Sequence, residues 1–252
     1  MPFTFAHPAV VIPLKNKFDK YFNLTALVLG SMSPDFEYFL NLKIKSEIGH
    51  SLIGFITYNL PLVFMFAIIF NMIIKPTLSL HLPICINRYI KIDDDNSGHA
   101  LKHNLINNIM IFIISALIGM LSHVLWDSFT HETGLFVKIF PTLTTSIIGI
   151  PFYKLLQHGG TLLGLTYIFK VLYYKRSNIE VKYNQTVANK RKIYYWASVI
   201  ILSIIFLVCR QVTTWQRLDS WIIGTFIVTA ISGFFVSITL VSIVFYRRKP
   251  FI

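Results

Sequence analysis

The chain runs to 252 residues, 54% of them hydrophobic and 13% charged, with a formal net charge of +12 and a mean hydropathy of +0.62. Soluble domains carry about 25% charged residues, so a water-soluble globule is excluded and an integral membrane protein is predicted, with the lipid bilayer as its main partner. Lys and Arg collect at the edges of apolar runs, which argues against a nucleic-acid surface. Cys85 and Cys209 lie far apart without C-x-x-C spacing, giving neither a disulfide framework nor a thiolate metal site.

The first 50 residues hold polar motifs between short apolar runs. The start has no basic region ahead of a continuous apolar core, so the N-terminus is read as retained. Tyr21 to Met32 is apolar but only about 12 residues long before the Ser33-Pro34-Asp35 break, too short for an ordinary crossing. It is predicted to be re-entrant, interfacial or packed on the bundle. Pro34 disfavours helix at Ser33, and the turn either presents Asp35 or lets it cap the segment from Phe36.

Five stretches approach the roughly 20 residues needed to cross hydrocarbon: Ser51 to Ile74, Leu105 to Trp126, Leu155 to Tyr174, Ile193 to Val212 and Trp221 to Tyr246. The third is the weakest, carrying His158 near its start and Lys170 near its end, and without it four remain. The predicted fold is all-α: a polytopic membrane bundle of about five transmembrane helices plus a short N-terminal re-entrant or interfacial helix. It forms one integral membrane domain, with a motif segment over 1–50, spans one to three carrying the site over 51–174, and spans four and five over 175–252. The basic 173–193 loop and the Arg247-Arg248-Lys249 tail are assigned to the cytoplasm of a cell with this protein in its inner membrane. Counting five spans back from that tail places the 75–104 loop inside and the N-terminal segment outside. Lys15, Lys17, Lys20, Lys43 and Lys45 then fall on the outer side, against the usual bias.

Within so apolar a chain, imidazoles and carboxylates are costly unless paired, solvated or bound to an ion. His7, Asp35, His50, His123, Asp127, His131 and His158 nearly all sit beside predicted spans. The alternation brings His50, His123, Asp127, His131 and His158 to one membrane face. His123, Asp127 and His131 recur every fourth residue, so one helix face carries all three. At metal–ligand distances of about 2.0–2.2 Å, His123 and Asp127 can share an ion; His131, roughly 12 Å from His123 along an ideal helix, needs a fray near Thr133-Gly134 or a second ion. A single interfacial His is more commonly a structural hydrogen-bonding group. For His7 the default is a solvated terminal imidazole, and for His158 a ligand, a supporting donor or an anchor. His81, His99 and His103 fall in the 75–104 loop and are left out on topology. Imidazole and carboxylate donors suit a borderline divalent ion, zinc first, in one or two copies.

The motifs occur in a telling order: Met1-Pro-Phe-Thr-Phe-Ala-His7-Pro, Gly30-Ser-Met-Ser-Pro34-Asp35-Phe-Glu-Tyr38-Phe, Gly49-His50-Ser51-Leu-Ile-Gly54, Ser122-His123-Val-Leu-Trp126-Asp127-Ser-Phe-Thr130-His131 and Leu156-Gln157-His158-Gly-Gly-Thr161-Leu-Leu-Gly164. Over roughly residues 1 to 246 this closely resembles the bacterial membrane family called domain of unknown function 4184. That family is similar in motif style to predicted inner-membrane metal-dependent hydrolases, and more distantly the His/Asp set looks like that of zinc-dependent phospholipase C and related nucleases. The resemblance implies a membrane-embedded metal-dependent hydrolase acting through a metal-activated water on a phosphoester or other amphiphilic, lipid-like substrate, with Asp35 or Asp127 as proton acceptor if not a ligand. The alternatives are a non-catalytic scaffold or partner-binding protein with a structural metal and, less supported, a transporter, whose path would need polar groups in spans four and five.

Overall fold

Prolines and capping residues decide where this apolar chain turns. The computed structural model describes residues 3–82, 105–175, 187–214 and 222–247, and among them the chain is mostly helical, its strands confined to one small hairpin. The helices are α1 (Pro8–Lys17), α2 (Leu24–Met32), α3 (Phe36–Asn41), α4 (Leu52–His81), α5 (Leu105–Thr130), α6 (Leu135–Ile139), α7 (Phe152–Lys175), α8 (Asn189–Thr214) and α9 (Ile222–Arg247). The strands β1 (Ser146–Ile147) and β2 (Ile150–Pro151) pair antiparallel between α6 and α7. The Asp93–Asp95 run, His99, His103, most of the basic 173–193 loop and the Arg248-Lys249 tail lie outside the described residues.

Among the described residues four helical segments are long and apolar enough to cross a membrane: Leu52–His81, Leu105–Ile139, Asn189–Thr213 and Ile223–Tyr246. This is an all-α membrane bundle, and four of the five expected stretches fall in these segments while Leu155 to Tyr174 does not. Helix α7 is long, at 24 residues, but Gln157, His158, Gly159, Gly160 and Lys170 dilute its apolar run. Helix α4 widens into a π turn at Phe55–Asn59 and again at Phe70–Ile74. Each turn precedes a proline, Pro61 and Pro76. A proline ring collides with the carbonyl four residues earlier, Thr57 or Met72 here, and the extra residue in the wider turn relieves that clash.

The chain divides into two compact units. The first comprises Met1–Phe36, Glu47–Phe64 and Asp95–Tyr174. Its centre is α2 lying on α5. Gly30 meets the Ala116 backbone, and a Cβ on Gly119 would stand 2.6 Å from both the Leu27 carbonyl oxygen and the Ser31 nitrogen, so glycine at both positions lets the two backbones touch. Asn23 starts α2 by accepting from the Ala26 N–H at 2.9 Å, while its own N–H donates to Ser115 Oγ on α5 at 2.9 Å. Of the alternatives for Tyr21 to Met32, the helical part packs on the bundle. A smaller core of Val137, Leu143 and Tyr153 seats α6 and the hairpin, with Phe129 stacked on Phe136 at 4.2 Å.

The second unit comprises Glu37–Ser46, Met65–Asp94 and Lys175–Ile252. Tyr195, Val199, Ile238, Val241 and Ile74 form its core. Tyr195 and Ser242 hydroxyls meet at 2.9 Å, and the His81 ring stacks on Tyr195 with centroids 4.5 Å apart. His81 Nδ1 donates to the Thr77 carbonyl at 2.7 Å, and the Trp196 indole N–H donates to the His81 carbonyl at 3.1 Å.

Candidate metal centre

Each side chain of the cluster, which lies wholly in the first unit, is held by a local feature of its own segment. A 3₁₀ turn at Thr4–Ala6 delivers His7 to the start of α1, where Pro8 at the first helical position fits the missing N–H. A second 3₁₀ turn, Ser33–Asp35, follows α2 with Pro34 inside it. Asp35 does not cap the next helix there; it is fully buried and turns toward the imidazoles. Ser51 caps α4 by accepting the Gly54 N–H at 2.9 Å. Asn59, buried in the first π turn, donates to the Gly49 carbonyl at 2.6 Å and so fixes the turn that carries His50. His123 and Asp127 are one turn apart on α5, both buried.

Four donors form an alternating ring. His50 Nε2 lies 3.6 Å from Asp35 Oδ1 and 3.7 Å from Asp127 Oδ2. His123 Nε2 lies 3.6 Å from the same Asp35 oxygen and 3.4 Å from the same Asp127 oxygen. These separations exceed the roughly 2.7–2.9 Å of a charge-assisted N–H···O bond. They are close to the roughly 3.3–3.6 Å that separates two donors sharing one ion at metal–ligand distances of about 2.0–2.2 Å.

Hydrogen bonds outside the ring set the tautomers. His123 Nδ1 meets the Ser31 carbonyl at 2.7 Å, and a carbonyl only accepts, so Nδ1 carries a hydrogen and Nε2 is the atom that faces the two carboxylates. His123 Nε2 and Asp35 Oδ1 are both buried without a hydrogen-bond partner. A nitrogen and a carboxylate oxygen facing one another in a dry site require positive charge between them, either a proton on Nε2 or a bound cation. Asp35 Oδ2 is occupied separately, accepting the Thr4 hydroxyl at 2.6 Å, which directs Oδ1 into the ring. Such supporting bonds fix ligand orientation in metal sites.

His7 extends the cluster. Its Nδ1 donates to the Thr4 carbonyl at 3.2 Å, leaving Nε2 3.4 Å from Asp127 Oδ1, and its ring stacks on His123 with centroids 3.9 Å apart. Burial pushes the His7 pKa below the ordinary 6.5, with His123 adding to the shift and Asp127 opposing it, so the ring is held in the neutral form that ligates metals. Two donor sets thus have all their atoms within 4.8 Å of one another: His7, His123 and Asp127, and Asp35, His50 and His123. His123 has one nitrogen to offer, so it serves one set at a time.

His131 lies just past the end of α5. Its Nδ1 donates to the Asp127 backbone carbonyl at 3.0 Å and stands 3.6 Å from Asp127 Oδ1, so it borders the cluster. His158 is exposed on α7 and belongs to neither set. Sequence reasoning passed over Thr4, Asn59 and the Ser31 carbonyl. The Met1-Pro-Phe-Thr-Phe-Ala-His7 motif contained Thr4, yet nothing in a hydroxyl 31 residues from its partner marks it.

An all-helical multi-pass membrane protein with a buried, convergent His/Asp cluster is the class that this fold and site define. Within that class the chain belongs to the family described as Domain of unknown function (DUF4184), whose model matches residues 1–243. Neither the curated proteins nor the solved structures contain a match to it.

Proposed function

We propose that this chain is a metal-dependent hydrolase of the cytoplasmic membrane acting on a phosphoester or lipid-like substrate. The observation that carries the reading is the buried pair His123 Nε2 and Asp35 Oδ1, which face one another at 3.6 Å and lack any hydrogen-bond partner. Asp35, His50 and His123 would hold one divalent ion, zinc by donor type, with Asp127 beside both imidazoles. Such an ion supplies Lewis acidity and an activated water. Thr4 and the Ser31 carbonyl orient two of those residues. His7 and His131, facing the second oxygen of Asp127, are placed to hold or pass a proton there. His50 retains 30% of its side-chain exposure, an approach path that a sealed structural site lacks.

The face of the membrane follows from charge. His50 precedes the first span and Asp127 lies near the end of the second, so the cluster sits at one face whatever follows. With four crossings, counting back from a cytoplasmic tail puts that face inside, opposite to the five-span count. Lys15, Lys17, Lys20, Lys43 and Lys45 then join the basic 173–193 loop and the tail on the cytoplasmic side. The opposite side keeps 82–104, where Arg88, Lys91 and Lys102 are balanced by Asp93, Asp94 and Asp95. This satisfies the positive-inside bias that the five-span count broke.

The test is the metal content of detergent-purified protein by elemental mass spectrometry, wild type beside His123→Ala, followed by a phosphoester and lipid hydrolysis screen. Stoichiometric metal lost in the variant, with metal-dependent hydrolysis in the wild type, is expected. Wild type that takes up no metal after reloading rejects the centre; loaded protein inert across the screen rejects the hydrolase.

A further inference from the structure

The hairpin between α6 and α7 has a tip that does not suit water. Ser146 pairs with Pro151 and Ile147 with Ile150, leaving Ile148 and Gly149 as the two-residue turn. Both have positive φ, 54° at Ile148 and 77° at Gly149, as a type I′ turn requires, and such turns favour Asn-Gly. A β-branched side chain in the left-handed region is disfavoured. Here it is also 97% exposed, with Ile147 and Ile150 on either side of it at 46% and 43%. The residue is thus poor both for the turn it makes and for the solvent it would meet.

The surroundings say what covers the tip. The apolar segment that begins with α5 continues through α6 to Ile139, only seven residues before β1, so the hairpin follows directly on the end of a candidate membrane span. Exposed Ile139 and Phe140 continue the apolar surface toward it. Buried Val137, Leu143 and Tyr153 fasten the hairpin's base to α6 and α7, and the Phe152 N–H donates to the Thr145 carbonyl at 3.0 Å to close it. Lys138 and Lys154 flank it, both exposed, and residues 133–179 contain no Asp or Glu. Apolar tip, basic flanks and absent acids are the signature of a segment that dips into the boundary between headgroups and acyl chains of an anionic leaflet.

We infer that the Ser146–Pro151 hairpin is a lipid-inserting tip, with Ile148 in the acyl region and Lys138 and Lys154 at the headgroups. This is independent of whether the His/Asp cluster binds metal.

The test uses full-length protein in nanodiscs containing anionic lipid, with Cys85 and Cys209 replaced by Ser. An environment-sensitive fluorophore is placed at Ile148→Cys and, as a control, at the exposed Glu132→Cys. At position 148 the emission is expected to shift to the blue, to be quenched by doxyl-labelled acyl chains at least twofold more than at 132, and to be protected from iodide. Iodide quenching equal to that at 132 overturns the proposal; so does protection from both quenchers, which would mean that protein covers the tip. Ile148→Asn supplies the better turn residue and preserves the hairpin, so a fluorophore at Ile147→Cys in that background should lose its acyl-chain quenching. Unchanged quenching there also overturns the proposal.

Discussion

Thr4→Val separates an assembled metal centre from a merely polar helix end. The substitution keeps the side chain's shape and removes one buried hydroxyl that donates to Asp35 Oδ2 at 2.6 Å. A hydrogen bond to a charged acceptor contributes about 1.5–3 kcal/mol, and loss of a supporting partner typically weakens metal affinity about 10–100-fold. At 1.4 kcal/mol per decade that range is about 1.4–2.8 kcal/mol, so the two figures agree. Competition against a coloured chelator in detergent should show the wild-type dissociation constant raised about 10–100-fold in Thr4→Val and nearly restored in Thr4→Ser. Thermal unfolding of the metal-free forms monitors fold damage in parallel. If Thr4→Val binds within twofold of wild type while remaining folded, Asp35 is not oriented by Thr4 for ligation and the geometric argument fails.

Gly119→Ala should lower unfolding stability by about 1–3 kcal/mol, because the new Cβ meets backbone atoms of α2 at 2.6 Å and neither helix can yield locally. It should weaken metal binding as well, since Ser31 shifts away from His123; unchanged melting would contradict the close crossing. Acidification probes His7. Its pKa is lowered, so between that value and 6.5 the unfolded chain binds a proton that the folded chain refuses, and stability falls as pH falls. In metal-free protein the stability margin of wild type over His7→Gln should therefore shrink below pH 6.5 and stay level above it; a margin that grows with acid refutes the burial argument. For topology, alkaline phosphatase inserted near Asp94 should be active and a fluorescent protein fused at the C-terminus should mature, while phosphatase near Lys45 should be inactive. The reverse pattern at Lys45 would restore the five-crossing count.

The apolar runs revealed the membrane bundle because a hydrocarbon solvent permits few charges, and four of the five stretches are among the helices able to cross. The fifth, α7, shows the limit: its leucines suffice for a buried or lipid-facing helix, but Gln157, His158 and Lys170 make it less apolar than the other four. The convergence of His7, Asp35, His50, His123 and Asp127 was legible from chemistry, since each is an expensive residue in that setting. Ring orientation was not. His158 carries the same chemistry as His123 and faces out, because rotation of a helix about its axis depends on packing partners. Thr4 and the Ser31 carbonyl were invisible for a different reason: a lone threonine is unremarkable, and a backbone carbonyl has no letter in the sequence.

The ring draws its donors from positions 35, 50, 123 and 127. During synthesis the first half of this set emerges before the first span, and the second half only as the second span closes. Between them the nascent chain holds an incomplete pair, Asp35 and His50, for the time taken to insert two helices. A tight site therefore cannot trap an ion on the ribosome. On the proposed reading, metal acquisition would be a late step that reports correct insertion, and a chain whose second helix fails to return would be marked by its inability to load.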